Sequence, residues 1–178
     1  MRLFTAIDIP KEVKDNLDEL LRRVQPLAKL SWSRVENMHI TTKFIGEWPP
    51  ERLDEMKRTL DGISRPGPIG IAIRGLGWFP NPKHARVFWA GVEGGEPLKI
   101  LAHSTEQATA KLEVPVEDRP YSPHLTLARI RDRVPLDALR RAVGELERQE
   151  FGSFNAASFF LYLSAAGRYT KLAEYPLD

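Results

Sequence analysis

The chain has 178 residues, 42% of them hydrophobic and 28% charged, with a net charge of +2: a length for one compact unit and a composition able to bury a core. It contains no cysteine, which excludes disulfides, thiolate nucleophiles and cysteine-ligated metals, so any chemistry must come from His, Asp, Glu, Lys, Ser, Thr or Tyr. The small net charge is unlike that of proteins that coat duplex nucleic acid. No stretch approaches the roughly 20 apolar residues of a membrane span and no secretory leader is visible, so a soluble, cytoplasmic protein is expected.

Residues 2–8 read as a buried strand. Pro10 follows where a helix can begin, since a first-turn residue needs no amide hydrogen. Val13, Leu17, Leu20, Leu21 and Val24 form one apolar stripe at helical spacing, and Pro26 ends it. A short strand at 30–34 leads to an apolar, β-branched run from His39 to Ile45, and Leu53, Met56, Leu60 and Ile63 mark a second helix. Alternation at Ile69, Ile71 and Ile73, a turn at Pro80–Pro82 and a strand at 86–92 predict a hairpin. Leu98 through Leu112 predicts a third helix, with His103 off its apolar stripe. His84 falls in the preceding turn; both histidines are expected to be ordinary surface residues. The second half adds a strand at 124–130, a helix carrying Leu136, Leu139, Val143 and Leu146, and strands near 154–163 and 169–176. Helices interspersed with hairpin-like neighbours predict an α+β protein with antiparallel sheets.

One pattern recurs half a chain apart. His39-Ile40-Thr41-Thr42-Lys43-Phe44-Ile45 and His124-Leu125-Thr126-Leu127-Ala128-Arg129-Ile130 each follow a polar turn and precede a helix. Two related lobes, each giving one strand to a shared cleft, are expected. On a strand, His39 and Thr41 share a face, as do His124 and Thr126, while the intervening residues face the core. An imidazole beside a hydroxyl is a compact oxyanion site. Two such units around one phosphate supply a neutral imidazole to take a proton from water and a protonated one to donate to the leaving oxygen. By the same parity Lys43 lies on the face of His39 and could reach a phosphate; an exposed lysine at a strand end is an equally good account. Arg129 has the wrong parity for direct contact unless a bulge intervenes. Tyr121 could stack on a terminal base, with core packing as the competing account. Trp32, Trp78 and Trp89 are expected in the core or between lobes, and the basic runs Lys83-His84-Arg86 and Arg129-Arg131-Arg133 on an ordinary solvated surface.

The two His-x-Thr motifs resemble those of the 2H phosphoesterase superfamily. The chain as a whole is similar to the RNA 2',3'-cyclic phosphodiesterases, historically called 2'-5' RNA ligases. The likeness extends through RLFTAIDIP, ENMHITTKFIGE, GLGWFPNPKHARVFWAGVEG, DRPYSPHLTLAR and the ending in which Ser164, Gly167 and Tyr169 precede KLAEYPL. It implies a bilobal fold with antiparallel sheets and flanking helices about a pseudo-twofold cleft. It also implies no metal or cofactor, and opening of a 2',3'-cyclic phosphate at an RNA end to a 2'-phosphomonoester. On that resemblance His39 is the proton donor to the leaving 3'-oxygen, His124 the proton acceptor for water, and Thr41 and Thr126 hold the phosphate. Thr42 stands where relatives usually carry an aliphatic residue, which touches packing rather than chemistry.

RNA ends such as those of tRNA fragments are the expected partners and a monomer the expected state; reverse 2'-5' joining is permitted by microscopic reversibility. A small cyclic nucleotide or ADP-ribose cyclic phosphate is the alternative substrate. A non-catalytic RNA-end-binding protein is the alternative class.

Overall fold

The computed structural model describes residues 1–178. In chain order its elements are β1 (Arg2–Asp8), α1 (Lys11–Val24), β2 (Ser31–Trp32), β3 (His39–Glu47), α2 (Leu53–Asp61), β4 (Ile69–Phe79), β5 (Val87–Glu93), α3 (Gly95–Ala110), β6 (His124–Arg129), α4 (Asp137–Leu146), β7 (Glu150–Ala156), β8 (Ser158–Ala165) and β9 (Arg168–Pro176). The stripe Val13, Leu17, Leu20, Leu21 and Val24 is buried along its length, as an amphipathic helix requires. Pro10 caps α1 in an extended conformation, one position outside the first turn. None of the helices is long and apolar enough to cross a membrane.

The strands form two antiparallel sheets, one ordered β3-β1-β8-β9 and the other β2-β6-β5-β4-β7. The expected α+β class and paired antiparallel lobes are thus present. β1-α1-β3-α2 and β5-α3-β6-α4 are equivalent runs, each with its second strand beside its first. The lobes nevertheless share one core: a single cluster of 37 buried side chains runs from Leu3 in β1 through Phe88 in β5 to Leu177. The helices fasten one sheet to the other, α1 packing on β7 and α3 on β3. The Asn16 side-chain amide donates to the Phe151 carbonyl at 2.7 Å.

The expected strand at 154–163 is in fact two. The chain breaks at Ala157, and β7 pairs with β4 in one sheet while β8 pairs with β1 in the other. Phe154, Ala156, Ala157, Phe159 and Phe160 carry apolar character across the break, so hydrophobicity alone does not mark the switch. The Leu177 amide donates to the Ala157 carbonyl at 2.8 Å and holds the crossing in place.

Candidate active site

The first motif lies on β3, at the edge of its sheet. Its register runs Asp8 opposite His39, Ile7 opposite Ile40 and Ala6 opposite Thr41, then slips so that Thr5 faces Lys43 and Phe4 faces Phe44. Thr42 is therefore the extra residue of a β-bulge, which breaks strict alternation. Ile40, Thr42, Lys43 and Ile45 are all buried, while Thr41 and Phe44 are exposed. Thr42 does face the core, and the Thr5 hydroxyl at 2.7 Å satisfies its own.

Lys43 departs from the sequence reading. The bulge turns it off the His39 face into the interior, where it is 4% exposed. Its ammonium donates to Glu106 Oε1 at 2.7 Å and to the Pro115 carbonyl at 2.8 Å. It is a buried, doubly partnered cation that ties β3 to α3 and is turned away from any phosphate in the cleft. Phe44, 48% exposed, occupies the place on the cleft face that parity had given to Lys43.

The second motif repeats this geometry on β6. Gly91 faces His124, Ala90 faces Leu125 and Trp89 faces Thr126; the register then slips past Leu127, so that Phe88 faces Ala128 and Val87 faces Arg129. Here the slip works in the other direction for the sequence reading. Leu127 and Ala128 are both buried and Arg129 emerges exposed, so the bulge returns Arg129 to the face of His124 and Thr126. The two motifs are thus bulged at the same position, with Arg129 the counterpart of Phe44.

Both histidines are held in the same way. His39 Nδ1 lies 2.8 Å from the Asn37 carbonyl and His124 Nδ1 lies 2.9 Å from the Ser122 carbonyl, each two residues upstream. A carbonyl can only accept, so each Nδ1 carries a hydrogen and each Nε2 is the nitrogen left for proton exchange. β3 and β6 approach each other directly, and Tyr121 joins them, its hydroxyl donating to the Thr41 carbonyl at 2.8 Å. The Tyr121 ring packs against the core cluster, which favours the packing account over base stacking. Burial raises its phenol well above the usual range, so it remains a donor.

The surroundings of the two imidazoles differ. His124 is exposed. The His39 side chain is only 8% exposed, with ring centroids 4.6 Å from Tyr162, 5.6 Å from Tyr169 and 6.3 Å from Phe4. Burial pushes His39 below its ordinary pKa; the hydrogen bond to Asn37 and the charge of Asp8 oppose that, and Lys14 and Lys171 add to it. Asp8 Oδ1 sits 3.6 Å from His39 Nε2. The same carboxylate accepts from the Tyr162 hydroxyl and pairs with Lys171 Nζ at 2.5 Å.

Asp8, Tyr162 and Lys171 were not singled out from the sequence, and Trp89 was expected only in the core or between lobes. A carboxylate directly after a run of five buried residues in β1 was the available signal for Asp8. Trp89 lies opposite Thr126, which puts it on the cleft face beside the motif, with its ring over Gly77, where a Cβ would come within 2.1 Å of it. Trp32 and Trp78 pack on the core as expected. His84 and His103 are exposed and take no part. A surface cavity of about 410 Å³, lined mainly by residues of β4 and β7, touches neither motif. A smaller basin of about 190 Å³ adjoins Arg129 and is lined by Lys29, Ser31, Arg131 and Asp132 among others.

Two imidazoles with free Nε2 atoms, two hydroxyls and a guanidinium on facing strands make a set able to bind a phosphate and move protons on either side of it. The LigT like phosphoesterase family profile matches residues 7–89 and 92–168, one segment for each motif. The RNA 2',3'-cyclic phosphodiesterase of Methanothermobacter thermautotrophicus is 34% identical over 166 residues, covering 90% of this chain and 88% of that protein. The protein of the same name from Aeropyrum pernix is 37% identical over 134 residues, covering 75% and 76%. The crystal structure of TT0787 of Thermus thermophilus superposes with a TM-score of 0.78 at 30% identity, covering 99% of this chain and 98% of the other. Escherichia coli LigT complexed with 3'-AMP shares the fold, with a TM-score of 0.78 at 24% identity and coverage of 99% and 97%. With both halves of the family profile falling on the two bulged His-x-Thr strands, the chain belongs to the LigT-like, or 2H, phosphoesterase family.

Proposed function

We propose that this phosphoesterase hydrolyses the 2',3'-cyclic phosphate at an RNA 3' end to a 2'-phosphomonoester, with His39 and His124 as the acid and base. The single observation that carries the reading is that both imidazoles are fixed through Nδ1 to a carbonyl two residues upstream, each beside a threonine on a cleft-facing strand. His124 Nε2 takes a proton from water as its oxygen bonds to phosphorus. The P–O3' bond breaks, and His39 Nε2 gives its proton to the departing 3'-oxygen. Thr41, Thr126 and Arg129 hold the non-bridging oxygens, whose charge grows as the pentacoordinate state forms. Acid, base and phosphate donors all come from side chains of this chain, so the step requires no ion, and one copy contains the whole set.

An oligonucleotide is favoured over a mononucleotide by the basin beside Arg129, where Lys29 and Arg131 set two more cations against the single Asp132. Phosphates upstream of the cyclic end would find their counter-charge there. Two relatives carry the name RNA 2',3'-cyclic phosphodiesterase at 34% and 37% identity, which supports the same substrate. A 5'-hydroxyl RNA end in place of water would give a 2',5' linkage by the same proton transfers in the same sense, His124 taking the hydroxyl proton and His39 protonating the departing 3'-oxygen.

The test is the product formed from a short RNA with a defined 2',3'-cyclic end, read by phosphorus NMR, alongside turnover of a cyclic mononucleotide. A 2'-phosphate and a preference for the oligomer are expected. A 3'-phosphate would overturn the roles given to the two histidines, and cleavage of the mononucleotide alone would overturn the RNA reading.

A further inference from the structure

The two motifs match in backbone, bulge and imidazole anchoring, yet one difference lies directly at the reacting nitrogens. The residue paired with His39 across the ladder is Asp8. The residue at the same place opposite His124 is Gly91. Asp8 Oδ1 stands 3.6 Å from His39 Nε2, where the nearest negative charge stabilises an imidazolium. Position 91 cannot carry such a group. A Cβ there would lie 2.4 Å from the Arg74 carbonyl oxygen, backbone that cannot swing aside. The fold therefore allows a carboxylate opposite one histidine and excludes one at the matching position opposite the other.

We infer that Asp8, held by Tyr162 and Lys171, is the positioning residue that makes His39 rather than His124 the acid of the pair. The inference rests on the two-histidine reading above and supplies the division of labour that two like motifs leave open. The groups facing His39 come from four elements besides its own: Asp8 on β1, Lys14 on α1, Tyr162 on β8, and Tyr169 and Lys171 on β9. A ring this buried loses its proton readily; the hydrogen bond to the Asn37 carbonyl opposes the loss, and among these side chains only Asp8 adds to that opposition. Lys171, paired with the far oxygen of Asp8 at 2.5 Å, limits how strongly it does so. Tyr162 donates to the near oxygen and fixes its direction toward the ring. A carboxylate restrained in this way stabilises the imidazolium without competing for the proton, since the 3.6 Å separation exceeds hydrogen-bond length.

The two charges act on His39 with opposite sign, which separates an electrostatic role from a structural one. Asp8→Asn keeps the oxygen that accepts from Tyr162 and removes the negative charge. Lys171→Met removes the opposing positive charge from a side chain that is half exposed, so that variant folds. The experiment is the pH dependence of turnover of a cyclic-phosphate RNA oligonucleotide by wild type and both variants, with the histidines titrated by NMR in the same proteins. In D8N the His39 titration and one limb of the rate profile move to lower pH by about half to one unit; in K171M they move to higher pH. The other limb and the His124 titration stay in place.

Lower turnover at every pH with both limbs unmoved, or movement in the same direction in both variants, overturns the inference. Where D8N turns over too slowly for a profile, its His39 titration decides the same question. If His39→Ala and His124→Ala retain wild-type turnover, it is the two-histidine reading that fails; if they are inactive and the limbs do not move, only the role of Asp8 fails.

Discussion

The buried Lys43–Glu106 pair yields a prediction in which stability and activity part company. The Lys43 side chain is 2% exposed and Glu106 25%. Glu106→Gln keeps an oxygen for the Lys43 ammonium and for the Glu117 amide, now bound at 2.7 Å and 2.9 Å, but removes the charge that makes a buried cation tolerable. Breaking a fully buried pair costs about 3–5 kcal/mol. With a quarter of the carboxylate in water and the Pro115 carbonyl still accepting, about 2 kcal/mol is expected, read as a lower urea midpoint at unchanged slope. Lys43→Met removes the buried charge itself and should cost about 1 kcal/mol, and the double substitution less than the sum of the two. Burial alone would raise the Glu106 carboxyl; hydrogen bonds from Lys43 and the Glu117 amide, with the charges of Lys43 and His103, hold it below its ordinary value. A depressed carboxyl stabilises the fold above its unfolded pKa and loses that contribution as pH falls through the folded one. The difference between wild type and E106Q should therefore shrink below about pH 4. Turnover by K43M should stay within about threefold of wild type, since Lys43 has no donor in the cleft. A hundredfold loss of turnover in K43M with stability intact would refute this placement, as would additive costs in the double variant.

Thr41→Ala and Thr126→Ala each remove one donor to a charged phosphate oxygen, so each should lower kcat/KM by about 10- to 100-fold with the fold unchanged. Circular dichroism and turnover measured together check this. Arg129→Ala should lower kcat/KM by a similar factor and flatten its dependence on salt, and Arg129→Lys should recover only part of it, because a lysine does not offer the guanidinium fork. Tyr121→Phe removes the hydrogen bond between the lobes at the Thr41 carbonyl and should destabilise by about 1 kcal/mol in urea unfolding, with a smaller effect on KM than either threonine variant.

Much of this was legible in the sequence, because the elements are long and strongly patterned. The α1 stripe, the three other helices and the repeated strands follow from periodicities of 3.6 and 2 that burial enforces. The repeat also located both histidines and both threonines, since parity holds for three residues on any strand. It failed at the fourth and fifth. An inserted residue in each motif reversed the fates of Lys43 and Arg129, and no local pattern announces a bulge whose buried residues are Thr42 and Lys43 in one copy and Leu127 and Ala128 in the other. Lys43 is buried because Glu106 and Pro115 come to meet it from about 60 to 70 residues away, a tertiary contact that lysine's ordinary preference for solvent argues against. Asp8 became visible as part of the site only once β1 was paired with β3, and its contrast with Gly91 only once β5 was paired with β6. The switch at Ala157 between sheets was hidden for a related reason: Ala156 and Ala157 at the break and Phe159 and Phe160 just beyond it leave no polar turn to mark it.

The central claim is that His39 and His124 together carry the chemistry without a metal ion. Single-turnover cleavage of a cyclic-phosphate RNA oligonucleotide in excess chelator, by wild type, His39→Ala and His124→Ala, tests it most directly. The account predicts an undiminished wild-type rate, a loss of at least about 100-fold in each single variant, and little further loss when both are combined, because each proton transfer depends on the other. Wild-type cleavage abolished by chelator, or either variant cleaving at the wild-type rate, would contradict it.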